Sequence, residues 1–200
     1  MDADYSVELG PTAPALEIPW TDPEGRLQYV DLRAAPDAIV HIAEARQFPA
    51  LARFLAEMNS PQSDWQTAKC DVWTEEVEPA ENFYGWGFAQ SCYVDLVLAT
   101  GAMRDNLEAH EWMAGSVARA LEEHDELEAS AEIVVRRCYF HRDGVEAESD
   151  AGYCLTLFVT GYGSSAQEAG ECWDRAMKTA GEFWLETRPK EVRAKGQELR

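Results

Sequence analysis

Downstream of residue 64, apolar and polar positions alternate in short runs, and between these runs they recur every third or fourth residue. Period two puts successive side chains on opposite faces of a strand, whereas a 3.6-residue period makes a helical stripe. The pattern predicts strands over residues 65–76 and 88–100, a helix over 102–123, strands over 132–142 and 152–161, and a helix over 165–187. Upstream it predicts two short strands, 16–20 and 27–33, around the turn tetrad Asp22-Pro23-Glu24-Gly25. Pro36 opens a helix reaching about residue 58, with Ile39, Ile42, Ala43, Leu51, Phe54 and Leu55 on one face. Pro49 inside that helix predicts a kink or a break. Residues 1–15 read as a loose arm, and residues 188–200 as a basic tail with five basic and two acidic side chains.

Two strand–strand–helix segments, 61–125 and 130–187, share identities. A shift of 60 places Tyr93 on Tyr153, Thr100-Gly101 on Thr160-Gly161, Glu108-Ala109 on Glu168-Ala169, and Glu111 on Glu171. Upstream, Lys69-Cys70 matches Arg137-Cys138 at a shift of 68. One hairpin and one helix cannot cover their own apolar faces, so the expectation is a single α+β domain built on an internal duplication. Its antiparallel sheet of four or more strands carries helices mainly on one face, and residues 16–60 add the N-terminal strands and the first helix.

Alternation then assigns the faces. Ala68, Cys70 and Val72, Val94, Leu96 and Leu98, Val134, Cys138 and Phe140, and Cys154, Thr156 and Phe158 read as the helix-covered side. The opposite side would carry Lys69, Asp71, Trp73, Tyr93, Asp95 and Val97, then Arg137, Tyr139, His141, Tyr153, Leu155, Leu157 and Val159. The second half of that list is too apolar to face water. It requires cover by N-terminal segments, the first helix, a ligand or a second subunit, and a homodimer is expected on this ground.

Charge narrows the partners. A net charge of −20 over 200 residues repels nucleic-acid phosphates and anionic membranes, so neither is an expected partner. The first 20 residues lack the basic and apolar regions of a secretory signal, and no apolar run approaches the ~20 residues of a spanning helix. Five cysteines, odd in number and widely spaced, fit reduced thiols in a cytoplasmic protein better than a disulfide framework.

No motif for a nucleophile, a phosphate loop or a metal site stands out, and no cofactor, metal or catalytic residue is assigned. The repeated Glu-Ala-x-Glu lies off the apolar stripe and lacks the histidines of a carboxylate dimetal site. Cys138-x-x-His141 has no second pair to complete a zinc site. The candidate ligand site is Asp71, Trp73, Tyr93, Asp95, Tyr139, His141 and Tyr153. Two acids, a histidine and four aromatics on one sheet face suit a small cationic or aromatic ligand. A second candidate is the loop at 75–88, where Glu75 and Glu76 precede Tyr84 and Trp86. An acidic, aromatic, glycine-hinged loop suits a basic protein partner. The acidic α/β mix is similar in outline to secretion chaperones and bacterial immunity proteins. The leading expectation is a non-catalytic protein binding a small ligand on the sheet face. The alternative is a protein-interaction module working through the 75–88 loop. An enzyme pairing His141 with Asp71 or Asp95 needs those groups within hydrogen-bond reach.

Overall fold

A computed structural model describes residues 1–22, 24–142 and 145–187. The elements in chain order are β1 (Asp2–Glu8), β2 (Ala15–Ile18), α1 (Ala43–Gln47), α2 (Pro49–Met58), β3 (Trp65–Glu76), β4 (Phe88–Leu98), α3 (Leu107–Glu122), β5 (Ala129–Arg142), β6 (Val145–Gly163) and α4 (Ala166–Glu186). All six strands form one sheet in the order β1-β5-β6-β4-β3, with β2 also paired to β5.

The fold is α+β, but the sheet is mixed where an antiparallel one was expected. β1 and β2 both run parallel to β5, end to end, against Ser130–Arg136 and Arg137–Phe140. The supposed loose arm therefore contains an edge strand. Its ammonium group donates to the His124 carbonyl, and Ala3 is buried. The strand expected at 27–33 is absent, and a single bridge joins Thr21 to Gln28. Pro49 breaks the first helix as its missing N–H requires: it sits at the first position of α2, and a 3-10 turn over Pro36–His41 precedes α1. Ser165 caps α4 by accepting from the Glu168 N–H at 3.3 Å. The polar turn at 143–144 and the basic tail at 188–200 lie outside the described residues.

The helices cover one face of the sheet. Leu51, Phe54, Leu55 and Met58 of α2, Met113, Val117 and Leu121 of α3, and Trp173, Met177 and Trp184 of α4 are buried in one cluster with Val94, Leu96, Ile133, Val135, Leu155, Leu157 and Val159. Each fully buried large side chain contributes roughly 1.5–3 kcal/mol. Two glycines let α4 approach β6. A Cβ on Gly161 would lie 2.3 Å from the Trp173 backbone nitrogen, and one on Gly163 2.5 Å from that of Ala169. Gly161 is thus required by helix–strand proximity.

The face assignment holds on β3 and β4 and is inverted on β5 and β6. Tyr93 pairs in register with Phe158, and their rings lie 6.1 Å apart. Cys138, Phe140 and Cys154 cluster with Val97 on the side away from the helices, whereas Tyr153, Leu155, Leu157 and Val159 pack beneath them. Residues 152–161 offer large or apolar side chains at both parities, so alternation alone could not choose a face. Tyr93 and Tyr153 face opposite ways, as do Cys70 and Cys138. The Tyr93–Tyr153 and Cys70–Cys138 matches are therefore not structural equivalences. The strand–strand–helix order recurs, but an internal duplication is not shown.

The chain itself covers much of the second face. Leu16 and Ile18 pack on Val97, Cys138, Phe140 and Cys154. The Trp20 indole N–H donates to the Ala68 carbonyl at 2.8 Å, and the Lys69 ammonium lies 5.7 Å from the Trp20 ring. The Arg104 guanidinium stacks 4.0 Å from the Phe140 ring. Arg33 fastens the far end of this segment by donating to the carbonyls of Ser60, Ser63 and Trp65. This cover removes the apolar face from which a homodimer was expected.

Candidate functional site

What stays open on the second face is a cleft of about 280 Å³. Pro14, Ala15 and Leu16 form one wall, and the sheet supplies Lys69, Tyr93, Asp95, Arg136, Cys154, Thr156 and Phe158. Register accounts for the grouping. Asp95 is paired with Lys69 on one side and Thr156 on the other, and Tyr93 with Phe158. A bulge between Thr67 and Lys69 resets the parity of β3 and turns Lys69 onto this face.

Asp95 lies at the floor, 7 % exposed. The Thr156 hydroxyl donates to its Oδ1 at 2.6 Å. Arg136 donates to the Thr156 hydroxyl at 3.3 Å and to Glu8 Oε2 at 3.1 Å, and its guanidinium lies 5.6 Å from the Phe158 ring. Burial pushes the Asp95 carboxyl above its ordinary value, and the Thr156 hydrogen bond and the charges of Arg136 and Lys69 only partly offset this. Burial likewise pushes the Tyr93 phenol up, with help from Asp95 and Asp71. The Cys154 thiol is held up by its hydrogen bond with Cys138 and by burial, so it is no thiolate nucleophile. Both cations at the rim are engaged, Arg136 with Glu8 and Lys69 with the Trp20 ring. The arrangement offers a buried acid beside two aromatic rings, which suits holding a small molecule.

The seven expected ligand-site residues do not converge. Tyr93 and Asp95 line the cleft. Asp71 and Trp73 share its face but lie outside it: Asp71 Oδ1 accepts from the Val72 N–H at 2.8 Å, and the Trp73 indole donates to Glu75 Oε1 at 2.9 Å. Tyr153 is a correction, packed under α3 with its ring 5.7 Å from that of His110. Tyr139 and His141 also fall on the opposite side, since Cys138 and Phe140, which alternate with them along β5, point to the cleft side. His141 Nε2 lies 3.7 Å from Glu17 Oε2. The strand β6 separates it from β4 and two strands separate it from β3. The histidine–aspartate pair required for acid–base chemistry therefore does not form.

Thr156, Phe158 and Arg136 were missed as site residues. The first two were assigned to the helix side, and Arg136 is indistinguishable in sequence from its neighbour Arg137.

In the 75–88 loop, Glu75 and Glu76 are exposed at the end of β3. Tyr84 is tied down: its hydroxyl donates to the Ala129 carbonyl at 2.7 Å and accepts from the Asp2 N–H at 3.1 Å. Trp86 is half-buried, whereas Phe83 is 89 % exposed. Gly85 turns the loop at φ +72°, and the Asn82 side chain donates to the Trp86 carbonyl at 2.8 Å. Among the described residues no three His, Cys, Asp or Glu are grouped to hold a metal ion, and no helix is long and apolar enough to cross a membrane. No family model, curated protein or solved structure matches the chain.

Proposed function

We propose that the chain is a binding protein that takes a small ligand carrying an aromatic ring and an amino group in the cleft between the Pro14–Leu16 wall and the exposed face of β4 and β6. The carrying observation is Asp95. A carboxyl group at 7 % exposure costs stability unless something recovers it, and this one opens on a cleft walled by Tyr93 and Phe158. An ammonium over Asp95 supplies the missing partner charge, and a ring between the two aromatics fills the apolar part. The volume of about 280 Å³ lies at the lower end of small-molecule sites, which limits the ligand to about one ring and a short arm.

Calorimetric titration with a charge series tests the reading. Tyramine, its neutral N-acetyl derivative and anionic 4-hydroxyphenylacetate share one ring and differ in charge. A ligand of about ten heavy atoms on this footing binds with a dissociation constant of about 1 mM. The order tyramine, then N-acetyltyramine, then the carboxylate supports the reading. The reverse order, or equal weakness of all three, removes it.

One observation favours a second reading, a protein-interaction module binding a basic partner through the 75–88 loop. Phe83 is 89 % exposed on a loop that also carries exposed Glu75, Glu76 and Glu81, while Tyr84 next to it is fastened. An exposed apolar anchor on a braced, acidic loop is the form of a partner-binding hot spot. The variant Phe83→Ala tests it against a basic protein such as cytochrome c. Capture that is salt-sensitive in the parent and lost in the variant supports this role, and capture unchanged by the variant ends it.

A further inference from the structure

A larger cleft lies elsewhere, between β1 and the outward side of α3. It measures about 460 Å³ and is lined by Asp4 and Tyr5 of β1 and by Glu108, Glu111, Trp112, Gly115, Arg119 and Glu122 among the α3 residues. At ~30 Å³ per water it holds roughly fifteen waters, far more than one ion requires. We propose that this groove and the free edge of β1 form a docking site for an extended basic peptide segment of a partner protein, added as a strand beside β1.

Four features define the occupant. First, β1 ends the sheet, and among the described residues no strand pairs with its outer side. Such an edge templates another strand through its backbone N–H and C=O groups. Second, the edge carries exposed apolar side chains: Tyr5, which lines the groove, and Val7 beyond it are 42 % and 40 % exposed, and the Tyr5 ring packs directly on Gly115 of α3. Third, the outward N–H of Tyr5 is held by the neighbouring Asp4 Oδ1 at 2.7 Å. An incoming strand carbonyl takes that N–H and frees the Asp4 carboxylate, which a lysine or arginine of the same strand then neutralises. Fourth, the lining sets four carboxylates against one guanidinium on a body of net charge −20.

Charge also argues against a second copy of this chain as the occupant. Antiparallel self-pairing of β1 about Tyr5 would bring Asp2 opposite Glu8, and like charges directly opposite are destabilising. Successive side chains of an added strand point alternately toward and away from α3, so basic residues at every second position meet Glu108, Glu111 and Glu122.

The probe is an eight-residue peptide alternating lysine with valine or tyrosine, titrated into the full chain with amide hydrogen exchange and chemical shifts as readouts. Slowed exchange at the Tyr5 and Val7 amides, with shifts along Glu108–Glu122, is the expected result. A peptide with glutamate in place of lysine should give none. The double charge reversal Glu108→Lys with Glu111→Lys, both on the helix exterior, should weaken binding by roughly tenfold. Val7→Pro removes only an outward N–H and should abolish exchange protection; circular dichroism checks both variants for folding. Shifts at Phe83 and Trp86 without β1 protection would overturn the proposal, as would spermine matching the peptide in affinity, or self-association through β1. Because tyramine binding in the other cleft does not involve these residues, either proposal can fail without the other.

Discussion

Replacing Asp95 with asparagine should make the protein more stable at neutral pH while removing its ligand. The carboxylate has left most of its water, at an effective cost of several kcal/mol for a buried ion. The Thr156 hydroxyl, 2.6 Å away, returns about 2 kcal/mol as a hydrogen bond to a charged group. Lys69 and Arg136, engaged elsewhere and near solvent, return about 0.5 kcal/mol each. Burial outweighs these, since the Asp95 carboxyl sits above its ordinary value. Asparagine has the same shape and keeps the oxygen that accepts from Thr156, so Asp95→Asn should gain about 1 kcal/mol at pH 7, or about 3 °C in Tm for a chain of this length. The sign with pH follows from linkage. With its folded pKa raised, the native parent holds the proton more tightly than the unfolded chain. The parent's stability therefore falls as pH rises from the unfolded value, about 3.9, through the folded one. The advantage of the variant should be full at neutral pH and gone below about pH 3.9. Paired urea melts at pH 7.5 and pH 3.5 measure it. A variant less stable than the parent by 1 kcal/mol or more at pH 7.5 refutes the reasoning, because Lys69 and Arg136 would then make Asp95 a structural ion pair.

Gly161→Ala should cost about 3 kcal/mol or more, because its Cβ would lie 2.3 Å from the Trp173 nitrogen and neither backbone can yield; chemical denaturation reads the loss. Tyr84→Phe removes the hydroxyl bridging Asp2 and Ala129 and should cost about 1 kcal/mol, with faster exchange of the β1 amides as the specific sign. His110 is buried, its Nδ1 is 2.8 Å from the Asn106 carbonyl, and burial holds its pKa below the ordinary value. The unfolded chain therefore takes up that proton first, and stability should fall as pH drops below about 6.5, by up to about 1.4 kcal/mol per unit. His110→Gln should remove that part of the slope between pH 7 and pH 5.

Much of the fold could be read from the sequence because its elements carry strong periods. Residues 65–76 form β3 over the expected span despite the bulge at Thr67–Lys69, and Pro49 marks the break between α1 and α2. The errors lie where the local signal is silent. Residues 2–8 alternate polar Asp2, Asp4, Ser6 and Glu8 with Ala3, Tyr5 and Val7, but a seven-residue strand whose partner starts at residue 129 leaves no local trace of its pairing. The face of β6 could not be chosen because Leu155 and Leu157 compete with Cys154 and Phe158 for the core. Identity matches at an even shift carried the wrong parity from β4 to β6, and Tyr153 entered the candidate site in place of Phe158. Asp95 and Tyr93 were found because an acid and a phenol stand out in an apolar strand. Thr156 and Arg136 matter through a cross-strand register that sequence spacing does not contain.

The most direct test is a heteronuclear NMR titration of the full chain with tyramine, repeated on Asp95→Asn. The account predicts saturable shifts centred on Tyr93, Asp95, Thr156 and Phe158, lost in the variant while its fold persists. Shifts centred on any other surface, or a titration that the variant leaves unchanged, would contradict it.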